Sequence, residues 1–203
     1  VDDFVDCGDA DNLSFGNGTT DSPFSISAWV KMTDVTNSSI LSKTNISPSH
    51  YEYSAHFNLE QIYFGVYSQD SNANYLFVNY ATNLTSYEGS WIHLAFTYDG
   101  SSNINGLKIY LNGQRVDDTQ FTSGTYVSMN NTIAPLKIGR SFNNRFLNGL
   151  IDETAIFSSE LSASDVSSIY GSGVPSDLST YSSLVSWWRM GDSDTFPTLS
   201  DNK

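Results

Sequence analysis

The sequence predicts an all-β protein, a two-sheet antiparallel β-sandwich with one short helix near residues 163–170. Short segments of alternating apolar and polar residues recur along the chain, and turn residues separate them at intervals typical of sandwiches. The composition agrees with this fold class. Charged residues make up only 15% of the 203 residues whereas aromatic residues reach 14%, which suits half-buried strand faces.

The predicted strands follow one another along the chain. In the first of them Phe24 and Ile26 point to one side while Ser25 and Trp29 point to the other, so both faces are expected to be partly covered. A later strand runs into Asn112-Gly113, the dipeptide that most strongly favours a tight hairpin turn. The predicted strands lie at residues 24–30, 51–57, 61–67, 75–80, 91–98, 107–111, 136–138 and 150–157.

A change of period after residue 157 predicts the short helix. Apolar residues stand at 166, 169 and 170, and Ser162 precedes them as an N-cap with Asp165 three positions further on. Gly171 stands where the helix would end, because glycine readily adopts the left-handed conformation of a C-terminal cap.

The charge balance excludes several classes of function. Asp and Glu total 22 against 9 Lys and Arg, a formal net charge of −13, which would repel nucleic acid and anionic lipid. No apolar run approaches the roughly 20 residues that span a bilayer, so membrane insertion is not expected. Cys7 is the single cysteine, which excludes an intrachain disulfide and the cysteine-based metal motifs.

Six segments, taken in order, carry a family resemblance. They are residues 1–8 (VDDFVDCG), 24–30 (FSISAWV), 91–100 (WIHLAFTYDG), 108–113 (KIYLNG), 136–139 (LKIG) and 146–153 (FLNGLIDE). The set resembles the laminin G-like, concanavalin A-like lectin/glucanase superfamily, in the tandem type found in bacterial and phage surface proteins. The resemblance implies a jelly roll, the two-sheet sandwich that the strand pattern predicts.

The resemblance also implies a division of the chain. Residues 1–171 form the laminin G-like domain, residues 172–182 a linker, and residues 183–203 either the opening strand of a following unit or the completing strand of this one. The family usually opens with a Leu-Val-x-Tyr-Trp-x-Phe strand, and a similar block appears here only at 184–192 (LVSWWRMGD). With the following 196–198 (FPT), this block is similar to repeats in virion and surface proteins of marine phages.

The sequence does not favour an enzyme. Jelly-roll glucanases use a Glu-x-Asp-x-x-Glu strand that presents alternate carboxylates to one cleft, and none of the five Glu stands in that pattern. Asp152 and Glu153 are adjacent, so on a regular strand they would point to opposite faces. A lyase-type pair of tyrosine and histidine among His56, Tyr53 and Tyr63 stays open as a weaker alternative.

The acidic residues are better candidates for calcium ligands, because calcium binds hard oxygens from Asp, Asn and backbone carbonyls. In relatives of this fold a calcium ion commonly joins the early strand to the late Gly-x-Ile-Asp-Glu strand. Carried over by that resemblance, Asp152 and Asp3 are expected ligands, with backbone oxygen from the turn at Asn17 and Gly18, and the Ca²⁺ would be structural. In the alternative interpretation the amino-terminal acids form a solvated edge: Asp2, Asp3, Asp6, Asp9 and Asp11.

Tyrosines concentrate in the middle of the chain, and aromatic faces can stack on sugar rings. Tyr53, Tyr63 and Tyr67 are therefore the expected ligand-binding residues, whereas Trp29 and Trp91 are expected to anchor the core.

These observations predict a non-catalytic recognition or adhesion module, binding carbohydrate, in a larger extracellular or phage virion surface protein. The expected partner is a glycan or a protein surface. One alternative is a purely structural virion or filament module that associates with copies of itself, and a weaker one is a polysaccharide-cleaving enzyme.

Overall fold

A computed structural model describes residues 3–46, 49–68, 72–141, 145–191 and 200–203. Within these ranges two antiparallel sheets pack face to face, as the sequence predicts. The seven-stranded sheet has the order β1 (Val5–Asp6), β11 (Leu136–Ile138), β3 (Asn37–Asn45), β4 (His50–Asn58), β5 (Gln61–Tyr67), β6 (Tyr75–Tyr80), β10 (Thr119–Ser123). The six-stranded sheet has the order β13 (Leu184–Trp188), β12 (Gly149–Phe157), β2 (Phe24–Met32), β7 (Trp91–Tyr98), β8 (Leu107–Leu111), β9 (Gln114–Arg115).

The core lies between the inner faces of the two sheets. On β2 the side chains of Phe24 and Ile26 are fully buried in it, and they meet Phe64 and Tyr53 from the opposite sheet. Burial of these large apolar side chains is the main favourable term that holds the sheets together. The opposite face of β2 is also covered, as the alternation predicts, because Ser27 and Trp29 are buried there.

The single helix in the described residues, α1 (Ala163–Tyr170), begins and ends where the sequence predicts. The Ser162 side chain accepts a hydrogen bond from the Asp165 amide while the Asp165 carboxylate accepts one from the Ser162 amide, forming a capping box. Gly171 closes the helix at φ +57°. Val166 and Ile169 pack α1 against the outer face of the six-stranded sheet. No helix in the described ranges has the length and apolar character needed to cross a membrane.

The carboxy-terminal segment contributes an edge strand to this sheet. β13 pairs with β12, Ala155 opposite Trp187, and the Asn202 amide donates to the Trp187 carbonyl. Residues 184–188 therefore pair within this chain, while the division of the chain into units stays a prediction. Residues 192–199, which include the 196–198 motif, lie outside the described residues, as does Asp2.

The sequence did not predict β3 and β10. β3 reads as a polar segment, yet Ser38 and Ser42 are fully buried because their hydroxyls donate hydrogen bonds to the carbonyls of Phe146 and Arg140, at 3.1 Å and 2.9 Å. These bonds tie the segment between β11 and β12 to β3.

Candidate functional site

An open groove lies on the outer face of the seven-stranded sheet, on the side away from the core. It has a volume of about 430 Å³, within the range of small-molecule sites. We call it the aromatic groove, and it is lined by His56, Tyr63, Tyr67, Asn72, Tyr75, Phe77, Phe121 and Arg145.

The outward-facing side chains of β5 form the floor of this groove. Ile62, Phe64 and Val66 point into the core, so Tyr63 and Tyr67 point outward. Gly65 stands between the two tyrosines, and a Cβ atom there would overlap the Phe77 ring on the neighbouring strand. The glycine therefore leaves the space in which Phe77 lies across the sheet.

The rings of the groove contact one another in a continuous layer. Tyr63 stacks on His56 with ring centroids 5.6 Å apart and planes within 7°, and Phe121 lies 6.0 Å from Tyr63 on the other side. Phe77 lies edge-on to Tyr67 at 5.3 Å. Phe121 keeps 41% of its surface exposed, so the layer presents apolar ring area to solvent.

The groove has one cationic side chain among its described lining residues, Arg145. Burial lowers the pKa of Arg145, an effect that Tyr67 and Tyr63 oppose. Burial, with a smaller contribution from the Arg145 charge, lowers the pKa of His56 well below the ordinary value of 6.5, so this imidazole is neutral at physiological pH.

The structure separates the three tyrosines that were expected to bind a ligand. Tyr63 and Tyr67 line the groove, and their binding role stays a prediction. Tyr53 lies in the core with no exposed surface, and its hydroxyl donates to the Leu13 carbonyl at 2.8 Å. The prediction for Tyr53 is wrong because it alternates in phase with Ala55 and Phe57, which face the opposite sheet.

Five lining residues were not among the predicted binding residues: Asn72, Tyr75, Phe77, Phe121 and Arg145. Phe77 alternates with Leu76 and Val78, so the period of β6 could have placed it on the outer face. Phe121 lies on a strand whose other residues are polar, and Arg145 comes from a segment without strand period. No local pattern marks either residue.

The two tryptophans expected to anchor the core differ in their burial. Trp29 is buried on the outer face of the six-stranded sheet, with ring centroids 5.4 Å from His93 and 5.9 Å from Tyr170. Trp91 begins β7 and is 43% exposed, so the core prediction is wrong for it. A smaller pocket of about 260 Å³ lies beside both rings, with Asp152 in its wall.

The residues nominated for calcium have different neighbours. Asp152 lies beside Trp29 and Trp91, while Asp3 lines a pocket with Ile138, Gly139 and residues 149–151, which directly precede Asp152 on β12. The Asn17 carboxamide oxygen accepts bonds from Thr19 and Thr20, and the Gly18 amide donates to the Met129 carbonyl. Within the described residues no group of three or more His, Cys, Asp or Glu could hold a metal. The calcium site inferred from the resemblance, with oxygen ligands from the Asn17–Gly18 turn, stays a prediction.

The ammonium group of Lys43 occupies a position that is surrounded by oxygen atoms. The fully buried Lys43 Nζ lies 2.7 Å from Asp9 Oδ1, 3.1 Å from Glu52 Oε1 and 2.7 Å from the Ala134 carbonyl. Burial raises the pKa of Glu52, although the Lys43 charge opposes this. The ammonium thus ties the amino-terminal segment and the loop before β11 to the seven-stranded sheet.

Asp152 and Glu153 depart from the simple alternation expected of a strand. The pairing of β12 with β2 shifts register between Asp152 and Ala155, and Glu153 adopts φ +49° within this bulge. The Glu153 carboxylate accepts a hydrogen bond of 2.6 Å from Trp187 Nε1, which ties the edge strand β13 to its neighbour β12.

The geometry of the two sheets agrees with a sequence-profile comparison. The profile of the concanavalin A-like lectin/glucanases superfamily, under the name Laminin_G_3, matches residues 7–167. The chain belongs to this superfamily.

Similar proteins include pentraxin-related protein PTX3 of Homo sapiens, 28% identical over 143 residues, which are 70% of this chain and 35% of that protein. A candidate carbohydrate-binding protein from Bacteroides ovatus superposes with a TM-score of 0.64 at 16% identity, over 93% of this chain and 52% of that one. Domain 4 of AbnA, an extracellular arabinanase from Geobacillus stearothermophilus in complex with arabinotriose, gives 0.52 at 24% identity, over 78% and 69%. The chain spans about a third of the human relative and half of the Bacteroides protein.

Proposed function

We propose that this chain is a non-catalytic carbohydrate-binding module and that the aromatic groove is its sugar site. The observation that carries the proposal is the exposed ring layer on a sheet face, in which Tyr63 and Phe121 lie side by side. The apolar face of a sugar ring can stack on such rings, while Arg145 and Asn72 at the groove wall can bond its hydroxyls.

The support from relatives is of the same kind. A domain of similar fold holds arabinotriose, and another is a candidate carbohydrate-binding protein. The family hosts enzymes as well as lectins, so the site itself has to decide between them. Among the described groove residues there is no pair of carboxylates, the arrangement that most glycosidases use. His56 is neutral and stacks on Tyr63, so this histidine–tyrosine pair is better suited to packing than to proton transfer.

The wider setting of the module is part of the same proposal. We place it in a larger extracellular or virion surface protein, where it would hold that protein to a glycan-bearing surface. Expression of the natural full-length protein and detection of its location by antibody would test this placement independently of the sugar site.

A glycan array tests the sugar site. The labelled protein should bind one or more immobilised oligosaccharides, and Tyr63→Ala combined with Phe121→Ala should reduce the signal by about tenfold or more, since aromatic contacts are worth roughly 1 kcal/mol each. Trp91→Ala, an exposed ring on the other sheet, is the matched control and should retain the signal. Absence of glycan binding together with tight self-assembly would contradict the proposal and favour a structural module.

A further inference from the structure

The aromatic groove is lined by a positively charged side chain, although the chain as a whole is strongly negative. The chain has a formal net charge of −13, yet the charged side chain among the described groove residues is an arginine. Partial burial of a guanidinium costs free energy unless the charge finds a partner. The position of Arg145 therefore indicates the charge of the ligand that the groove binds.

Arg145 differs from Arg115 and Arg189 in its contacts. Arg115 Nη2 lies 2.8 Å from Asp117, and Arg189 Nε lies 3.5 Å from Glu153. Arg145 Nη2 instead donates to the neutral Asn58 carboxamide oxygen at 3.2 Å, and within the described residues it forms no ion pair. A guanidinium has five N–H donors, so donors remain for a ligand in the groove.

The backbone around Arg145 is anchored. The Arg145 carbonyl accepts a hydrogen bond from the Ser141 amide at 3.0 Å. The carbonyl of the next residue, Phe146, accepts one from the buried Ser38 hydroxyl. Because β3 fixes this segment before any ligand arrives, the guanidinium is held at the groove wall and little ordering is needed on binding.

We propose that the aromatic groove selects sugars that carry a carboxylate or a sulfate ester, with the sugar ring on Tyr63 and Phe121 and the acidic group paired with Arg145. This rests on the proposed sugar-binding function and adds the class of sugar. A planar guanidinium matches such groups because it can donate two parallel hydrogen bonds to two oxygens. The negative charge of the remaining surface opposes long polyanions, so isolated acidic residues in a neutral glycan should bind best.

The test compares matched ligands by calorimetry. Each oligosaccharide that binds on the array is compared with counterparts that differ only at C6, as the alcohol, the carboxylate or the sulfate ester. The acidic forms should bind roughly 10- to 100-fold more tightly than the alcohol, the range given by charge-assisted hydrogen bonds. The two acidic arms distinguish carboxylate from sulfate, and preference for either supports the proposal.

Two variants assign the preference to Arg145. Arg145→Gln should reduce the preference for the acidic form to about twofold or less, while binding of the neutral form persists. Arg145→Lys should reduce the preference several-fold, because the charge stays but the paired donors are lost. Arg115→Gln, which lies on the other sheet, should retain it. Thermal melting reports whether each variant folds, and Arg145→Lys carries the test if Arg145→Gln does not.

Equal affinity for acidic and neutral forms, or a preference that survives both Arg145 variants, would overturn the acidic-sugar proposal and leave the sugar site intact. Absence of binding to every glycan would overturn both proposals.

Discussion

The two sheets present their outer faces to solvent in opposite ways. On the six-stranded sheet, α1 covers a second apolar cluster that includes the fully buried Phe157 and the nearly buried Trp187. On the seven-stranded sheet, Tyr63 and Phe121 form a ring layer whose outer side stays open. The same residue types therefore serve packing on one face and present a surface on the other. The difference is set by whether another element of the chain lies over the strands.

Matched truncations of phenylalanine on the two faces should separate packing from presentation. Phe157→Ala should lower the free energy of unfolding by about 3–5 kcal/mol, because it leaves a cavity under α1. Phe121→Ala should lower it by less than about 1 kcal/mol, since its ring is 41% exposed. Urea unfolding measures both, and similar losses for the two variants would contradict the comparison.

The covered face should also give the protein an acid sensitivity. Burial lowers the pKa of His93 to about 4, and its Nε2 pairs with the Ser27 hydroxyl at 2.8 Å. The unfolded chain takes up a proton near pH 6.5 that the folded chain refuses until about pH 4, so stability falls as the pH drops through this window. The loss attributable to His93 should be about 2–3 kcal/mol between pH 7 and pH 4.

His93→Gln should reduce this slope of the stability profile, measured by urea unfolding across pH 4 to 7, by the part that His93 contributes. His56→Gln on the open face should remove a separate part of the slope, because burial also lowers the pKa of that imidazole. An unchanged slope in His93→Gln would show that the imidazole on the covered face accepts a proton in the folded state.

Chelation of calcium should have the smallest effect of these experiments. The nominated ligand Asp152 belongs to the covered face, Asp3 lines a pocket with residues 149–151, and the Asn17 carboxamide oxygen already accepts hydrogen bonds from Thr19 and Thr20. Calcium needs about six to eight oxygen ligands and the nominated set offers two carboxylates, so addition of EDTA should move the melting temperature by less than about 1 °C. A fall of several degrees that Ca²⁺ reverses and Mg²⁺ does not would restore the calcium site inferred from the resemblance.

Local pattern was sufficient for most of the fold. The period-two alternation of β2 and the capping residues Ser162 and Gly171 each specify their element within a few positions, so both were predicted. β3 could not be predicted in this way, because its polar serines are buried only where their hydroxyls donate hydrogen bonds to carbonyls of a distant segment. Its structure depends on contacts that the local sequence does not encode.

The site was less predictable for the same reason. Strand alternation places Tyr63 on the outer face and Tyr53 in the core, so the phase of each strand distinguishes the two tyrosines. Arg145 comes from a segment whose position is set by bonds to β3, and Phe121 from a strand of polar residues. The groove is therefore assembled from non-local pairings, and only its tyrosine-rich part is visible in the sequence.

The most direct test of the account is to map sugar binding onto the two faces by NMR. Titration with the oligosaccharide that gives the strongest array signal should shift amide resonances of β4, β5, β6 and β10, which form the floor and wall of the aromatic groove. Resonances of α1, β12 and β13 should stay in place. Shifts confined to α1, β12 and β13, with none around Tyr63 and Phe121, would contradict the assignment of the sugar site to the open face.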